Sequence, residues 1–384
     1  MATVESALQS RGSAAALMRD AQGRIDIRSF DLPGMLAFFE AELGENAIRA
    51  RNVYKALWQH RAATFSEMPE VARSCLLKLE KVAYIPALQP ELILRSGDGS
   101  VKYLWKCEDG YTIESVLIPD DGRLTLCMSS QVGCAMSCSF CLTGDIGLKR
   151  HLKPSEIANQ PMQVQQDLDA FYAAKGEKAP RLTNLVLMGM GEPLHNLDNL
   201  VTALHTCLND HALNFSHRRV TVSTVGLVPK MAELAARLPV NLAVSLNATT
   251  EEQRRQIMPI TRRYSLAELI QACRDFPLPG TKRITFEYVM FAGFNDSMED
   301  AVRLEALLRG VPAKINLIPY NENPDRDLKR PSDEVVKAFQ HYFVTRGINC
   351  TVRTTRGIDI SAACGQLGKT KQQVEERGWV AEWR

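Results

Sequence analysis

The stretch Leu124-Thr-Leu-Cys127-Met-Ser-Ser-Gln-Val-Gly-Cys134-Ala-Met-Ser-Cys138-Ser-Phe-Cys141 opens as a short apolar strand and breaks at Gly133 into a loop. Four of the ten cysteines lie in fifteen residues here, while Cys75, Cys107, Cys207, Cys273, Cys350 and Cys364 are scattered. An isolated cysteine reads as a small buried hydrophobe, which suits Cys75, Cys207 and Cys273 in their helical patterns. It does not account for Cys134, Cys138 and Cys141 as CxxxCxxC. Three thiolates on so short a loop can face one soft metal centre. A [4Fe–4S] cluster held by three protein ligands keeps one iron open for a small molecule. The other reading is structural zinc completed by Cys127 or His151. Zinc sites more often use paired Cys or His sets across a longer span, and no second pair occurs here.

Outward from this loop, residues after Gly122 alternate apolar strands with helical stretches. Strands are expected at Leu124–Ser129, Asn184–Met190, Arg219–Thr224, Asn241–Asn247, Ile284–Phe291, Lys314–Pro319 and Asn349–Thr354. Most are near-continuous apolar runs, as in strands buried on both faces of a parallel sheet. The alternation predicts an α/β fold, a partial (βα)6-type barrel with ligand groups at the C-terminal ends of its strands. The thiol loop follows the first strand and Gly189-Met-Gly191-Glu192-Pro193 the second. Ser223 ends the third, Ser245-Leu246-Asn247 the fourth, and Asn321 comes after the sixth. Any one Ser or Asn at a strand end is by itself a turn former or helix cap; their common place at one mouth gives them weight.

Ahead of the barrel, helical patterns at Asp31 to Ala41, Ala47 to His60 and Met68 to Val82 predict a small module. Three alternating runs follow, Ala87 to Arg95, Val101 to Cys107 and Tyr111 to Pro119, parted by Gly-Asp-Gly and Glu-Asp-Gly turns. The expected division is a mobile extension (1–28), a helical accessory module (29–85), a β-meander linker (86–122), a catalytic part-barrel (123–370) and a C-terminal tail (371–384). With 384 residues, 45% of them apolar, the chain can bury a sizeable core. Its 46 Lys and Arg against 44 Asp and Glu give a formal charge of +2, which excludes a uniformly basic nucleic-acid wrapper. Any RNA contact is therefore local; basic groups occur at Lys149-Arg150-His151-Leu-Lys153, His217-Arg218-Arg219 and Arg262-Arg263-Tyr264. The first of these follows the thiol loop and is placed to meet phosphates. No signal peptide and no membrane span is legible, so a cytoplasmic protein with reduced thiols and no membrane partner is expected.

The thiol loop and its surroundings resemble the radical S-adenosylmethionine enzymes, and within them the RlmN/Cfr family of RNA adenine methyltransferases. The resemblance is carried by Leu124 to Cys134, Leu187-Met-Gly-Met-Gly-Glu192-Pro193, Arg219-Val-Thr-Val-Ser223-Thr, Lys314-Ile-Asn-Leu-Ile-Pro-Tyr-Asn321 and Arg356-Gly-Ile-Asp359-Ile-Ser-Ala-Ala-Cys364-Gly-Gln-Leu367. With the helical module it spans residues 30 to 370. It implies that Cys134, Cys138 and Cys141 hold a [4Fe–4S] cluster. It implies further that Gly191, Glu192, Ser223, Ser245, Leu246, Asn247 and Asn321 bind S-adenosylmethionine, Asn247 standing where some relatives carry histidine.

The resemblance also gives roles to two cysteines that spacing alone leaves buried and inert. Adenine C2 is electron-poor, so polar methyl transfer to it fails. In the family's scheme one S-adenosylmethionine methylates Cys364, and a second yields a 5′-deoxyadenosyl radical that removes hydrogen from the S-methyl group. The carbon radical adds to the base; Cys127 then helps remove a proton and attacks the Cys364 sulfur, forming a disulfide and releasing methylated RNA. Glu114 matches a carboxylate assigned as proton acceptor. The implied substrates are 23S rRNA, at C2 of an adenosine in the peptidyl-transferase centre, and tRNA, at adenosine 37 beside the anticodon. An electron donor such as flavodoxin and a monomeric enzyme are implied with them. C8 methylation of the same rRNA adenosine, as in Cfr, is the alternative within the family, and a zinc-stabilised RNA-binding protein the alternative outside it. The target base has to leave its stack to reach a barrel mouth, so a loop or folding intermediate suits better than intact duplex.

Overall fold

The structure, a computed structural model, describes residues 18–278, 280, 282–323, 326–368, 370 and 382–383. Most of the 1–28 extension, residues 1–17, and most of the 371–384 tail lie outside the described residues. The rest of the extension does not match the expectation of a mobile segment. From Met18 the chain turns at Asp20, and Ile25–Asp26 pairs in parallel with Ala83–Tyr84. Ile25, Ile27 and Phe30 are buried, and Arg28 is 3% exposed. Arg28 ties the module together by donating to the carbonyls of Leu57, Ala62 and Pro86 and to Asn159 Oδ1. Burial lowers its pKa to about 10, still far above neutrality.

Three helices build the N-terminal module: α1 (Leu32–Phe38), α2 (Ala47–Trp58) and α3 (Arg73–Val82). Asp31 caps α1 by accepting the Gly34 N–H at 2.9 Å, and Asn46 caps α2 through Ile48 and Arg49. The helix expected to run to Ala41 changes at Phe39 into a π-helical turn ending at Leu43, and left-handed Gly44 (φ +60°) stops it.

The strands expected as a separate linker belong to the barrel's own sheet. β1 (Gln89–Arg95), β2 (Val101–Lys106) and β3 (Thr112–Asp120) pair antiparallel in sequence, and β3 pairs with β4 (Arg123–Cys127). The thiol loop leads through α4 (Leu142–Ile146) to α5 (Pro154–Ala173). The parallel run continues with β5 (Asn184–Leu187), α6 (Leu197–Leu208), β6 (Val220–Thr224), α7 (Val228–Arg237) and β7 (Asn241–Ser245). It closes with α8 (Glu251–Ile257), α9 (Leu266–Asp275), β8 (Ile284–Met290), α10 (Met298–Leu308), β9 (Ala313–Pro319), α11 (Asp333–Val344) and β10 (Cys350–Val352). β4 to β10 are seven parallel strands in chain order, the part-barrel that the alternating pattern predicts. A short β11 (Glu382–Trp383) pairs antiparallel with β1 at the far edge, so the end of the expected tail returns to the sheet.

The module sits against the helical layer. Tyr54 donates to Thr206 on α6, His205 meets Asp31 at 3.0 Å, and Asp26 accepts from Ser155 at the start of α5. No helix among the described residues is long and apolar enough to cross a membrane.

Candidate active site at the barrel mouth

Every parallel strand contributes to one cavity at the C-terminal end of the barrel. Cys134, Cys138 and Cys141 line it after β4, with Met188 and Gly191–Glu192 after β5 and Ser223 from β6. Ser245 and Asn247 come from β7, Glu287 and Val289 from β8, Ile318 from β9, and Arg353 and Cys364 from beyond β10. Two glycines make the close approaches. A Cβ on Gly189 would lie 2.7 Å from the Met128 carbonyl, and one on left-handed Gly191 (φ +100°) 2.5 Å from the Gln131 side chain. Gln131 in turn accepts the Glu192 N–H at 2.8 Å and touches His151, which the zinc reading names, and His195, which the sequence does not single out.

Glu192 is 2% exposed and accepts the N–H groups of Leu194 and Val225 at 3.1 and 2.9 Å. Burial outweighs these bonds and pushes its carboxyl up to about 7. A cationic ligand in the cavity restores the charged form. Asn247, left-handed at φ +60°, accepts from Val289 N–H at 2.9 Å and points its amide nitrogen at Met258 Sδ. It braces β7 against β8 as well as lining the cavity, and asparagine tolerates the left-handed backbone that this requires.

The thiol loop fits an iron–sulfur cluster. Burial raises the pKa of all three thiols, Cys134 to about 12, so thiolates here require positive charge beside them, as metal ions supply. Among the described residues no three His, Cys, Asp or Glu side chains converge on a point that one metal ion could occupy. Cys134, Cys138 and Cys141 line one cavity, so each can offer one sulfur to a different iron of a cluster. His151, one of the zinc reading's two fourth ligands, meets Gln131 through Nδ1.

The other expected site residues stand apart from this cavity. Leu246 is fully buried, and its carbonyl accepts from Arg254. Asn321 donates to the Cys364 carbonyl at 3.2 Å and accepts from Thr355, so it holds the Cys364 segment. Cys127 and Cys364 share a smaller adjoining cavity with Cys141 and Arg353. Burial, and then Cys364, pushes the Cys127 thiol up to about 12, while Arg353 opposes both. All ten cysteines are free thiols. Glu114 lines neither cavity; it is 1% exposed and paired with Lys102. Arg254 is the residue that the sequence hides most completely. It is 1% exposed and donates to the carbonyls of Leu246, Val225 and Ser245 and to Thr261 Oγ1, knitting the ends of β6 and β7 beneath the cavity.

The basic groups fare differently from expectation. Arg150 is paired with Asp109 and Glu156, and Lys153 with Glu108, so the patch after the thiol loop is largely neutralised within the chain. His217–Arg219 precedes β6 and therefore lies at the end of the barrel away from the mouth.

A parallel part-barrel with three cysteines on the loop after its first strand defines a radical S-adenosylmethionine enzyme. The sequence model of the radical SAM superfamily matches residues 128–304, and that of the ribosomal RNA large subunit methyltransferase N-terminal domain matches residues 25–85. The chain belongs to the RlmN family: it is 50% identical over 345 residues to the dual-specificity RNA methyltransferase RlmN of Pelobacter propionicus, covering 90% of this chain and 96% of that one. The Geobacter sulfurreducens protein of the same name is 48% identical, covering 89% and 92%. A radical SAM methyltransferase from Sphaerobacter thermophilus superposes with a TM-score of 0.81 at 38% identity, covering 89% of this chain and 98% of that one.

Proposed function

We propose that this chain methylates C2 of adenosine in 23S rRNA and in tRNA at position 37, with Cys364 as the methyl carrier. What supports the reading most directly is that Cys364 lines both the thiol-loop cavity and the smaller one containing Cys127. One sulfur can thus meet S-adenosylmethionine on one side and a resolving thiol on the other. Cys134, Cys138 and Cys141 would hold a [4Fe–4S] cluster, which with S-adenosylmethionine supplies the 5′-deoxyadenosyl radical. Gly191 and Glu192 would hold the methionyl ammonium, and Ser223, Ser245 and Asn247 the rest of the cofactor.

In the covalent sequence, the Cys364 sulfur takes a methyl group from one S-adenosylmethionine, leaving the thioether. After hydrogen abstraction, its carbon bonds to adenine C2. The adduct radical then loses one electron, for which the oxidised cluster would be the acceptor, and its C2 proton to Cys127; the Cys127 sulfur, deprotonated again, attacks Cys364, the S–S bond forms as the S–C bond breaks, and the released carbon takes a proton to become the methyl group. A reductant such as flavodoxin restores both thiols. Arg353, whose charge faces both sulfurs, works against the burial that raises the Cys127 thiol. The N-terminal module, matching a methyltransferase N-terminal domain, supplies RNA shape recognition. C8 methylation is disfavoured because the relatives carry the dual-specificity RlmN name.

The deciding experiment treats unmodified 23S rRNA fragment and tRNA with anaerobically reconstituted enzyme and locates the methyl group by mass spectrometry. Methyl at C2, lost with Cys364→Ala and trapped as a protein–RNA adduct with Cys127→Ala, supports the reading. Methylation that survives Cys364→Ala sinks it.

A further inference from the structure

One buried ion pair grips the Cys364 segment on both sides. Lys102 on β2 and Glu114 on β3 lie on adjacent antiparallel strands, Nζ and Oε2 3.0 Å apart, with side chains 0% and 2% exposed. Lys102 also donates to the Ser361 carbonyl at 3.0 Å, three residues before Cys364. Glu114 Oε1 accepts the Thr370 N–H at 3.2 Å, six residues after it. Between these anchors the segment docks on the thiol loop: Leu142 N–H donates to Gly365 O and Thr143 Oγ1 to Leu367 O, both at 2.9 Å. Ser361 is held left-handed at φ +48°, a conformation that serine adopts only when its surroundings impose it. A lysine with no exposure needs its charge matched and its protons placed; here Glu114 on the adjacent strand matches the charge, and the Ser361 carbonyl that takes a proton lies 259 residues away in sequence.

We propose that Lys102, paired with Glu114, is a positioning residue that seats the Cys364 thiol over the barrel mouth. The inference rests on the reading of Cys364 as methyl carrier. Without Lys102 the Glu114 carboxylate is buried without its counter-charge and the Ser361 carbonyl loses a donor, so the segment lifts. Lys102 lines neither cavity, so it does not itself touch the cofactor. While the segment is seated, the Glu114 carboxylate is engaged by Lys102 and Thr370, so a proton-acceptor role for Glu114 requires the segment to move.

The test uses reconstituted holoenzyme, wild type and Lys102→Met. It measures single-turnover methylation of Cys364 by peptide mass spectrometry, 5′-deoxyadenosine formed on reduction, and hydrogen exchange. Lys102→Met is expected to slow Cys364 methylation at least tenfold and speed exchange across residues 357–370, with the 5′-deoxyadenosine yield unchanged. The double variant Lys102→Met/Glu114→Gln removes both charges, keeps an acceptor for Thr370, and gives a folded protein with the same slow methylation should the single variant not fold. Wild-type methylation rate and exchange in either variant overturn the proposal. If wild-type Cys364 is never methylated, the carrier reading fails, while exchange over 357–370 still decides the clamp.

Discussion

Gly191 shows what a single position contributes at the mouth. Its backbone is left-handed, and any Cβ would enter the Gln131 side chain, whose amide also holds the Glu192 N–H. Gly191→Ala combines backbone strain of about 1–3 kcal/mol with displacement of the Gln131 bracket. The expected result is at least a tenfold fall in 5′-deoxyadenosine formation, with iron content unchanged because the thiol loop is untouched; unaltered cofactor cleavage would refute this use of the glycine. That Gly191 and the three thiols share the barrel mouth was legible in sequence because each follows a strand end in a local motif. Arg254 was not, since nothing in Glu251-Glu-Gln-Arg254-Arg255 separates it from its exposed neighbour; one position around the helix decides which arginine is buried.

Among the elements, the strand ends line the cavity at the mouth, and something must hold them in register where their backbone ladder stops. Arg254 on α8 does this for β6 and β7 through three carbonyls and a hydroxyl. Arg254→Met leaves these acceptors without a donor in a buried setting, a loss on the order of 3 kcal/mol. A lower thermal midpoint is expected together with weakened S-adenosylmethionine binding, read by calorimetry on the reconstituted enzyme. A midpoint equal to wild type would show that the brace is dispensable. The apolar strand runs were readable because burial on both faces leaves no alternation. That β1 to β3 extend the same sheet was not readable, because antiparallel runs parted by tight turns look alike whether they end at a linker or continue into a barrel.

At the scale of the whole molecule, the N-terminal module and the barrel meet around Asp26, which accepts from Ser29 and from Ser155 at the start of α5. Burial, its largest cause, raises the Asp26 carboxyl to about 6 from 3.8. The folded state therefore binds this proton more tightly than the unfolded one. The group's contribution to stability is complete below pH 3.8 and is lost as pH rises through about 6, a change on the order of 3 kcal/mol. Asp26→Asn does not titrate. Its thermal midpoint relative to wild type is expected to be highest at pH 7–8 and to fall steadily towards pH 4; a difference that is flat in pH would refute the buried-acid account. The chain by itself determined the part-barrel, the thiol loop at its mouth and the glycine-rich turn beside it, because strand periodicity, CxxxCxxC and Gly-Met-Gly-Glu are local patterns with local physical causes. Only the tertiary structure decided that Cys364 and Cys127 line one cavity, that Lys102 and Glu114 seat the segment between them, and that Arg150 and Lys153 after the thiol loop are paired with Asp109, Glu156 and Glu108. Those outcomes depend on which distant segments share a buried volume, and burial converts an ordinary lysine, arginine or cysteine into a functional one without leaving a mark on its neighbours in sequence.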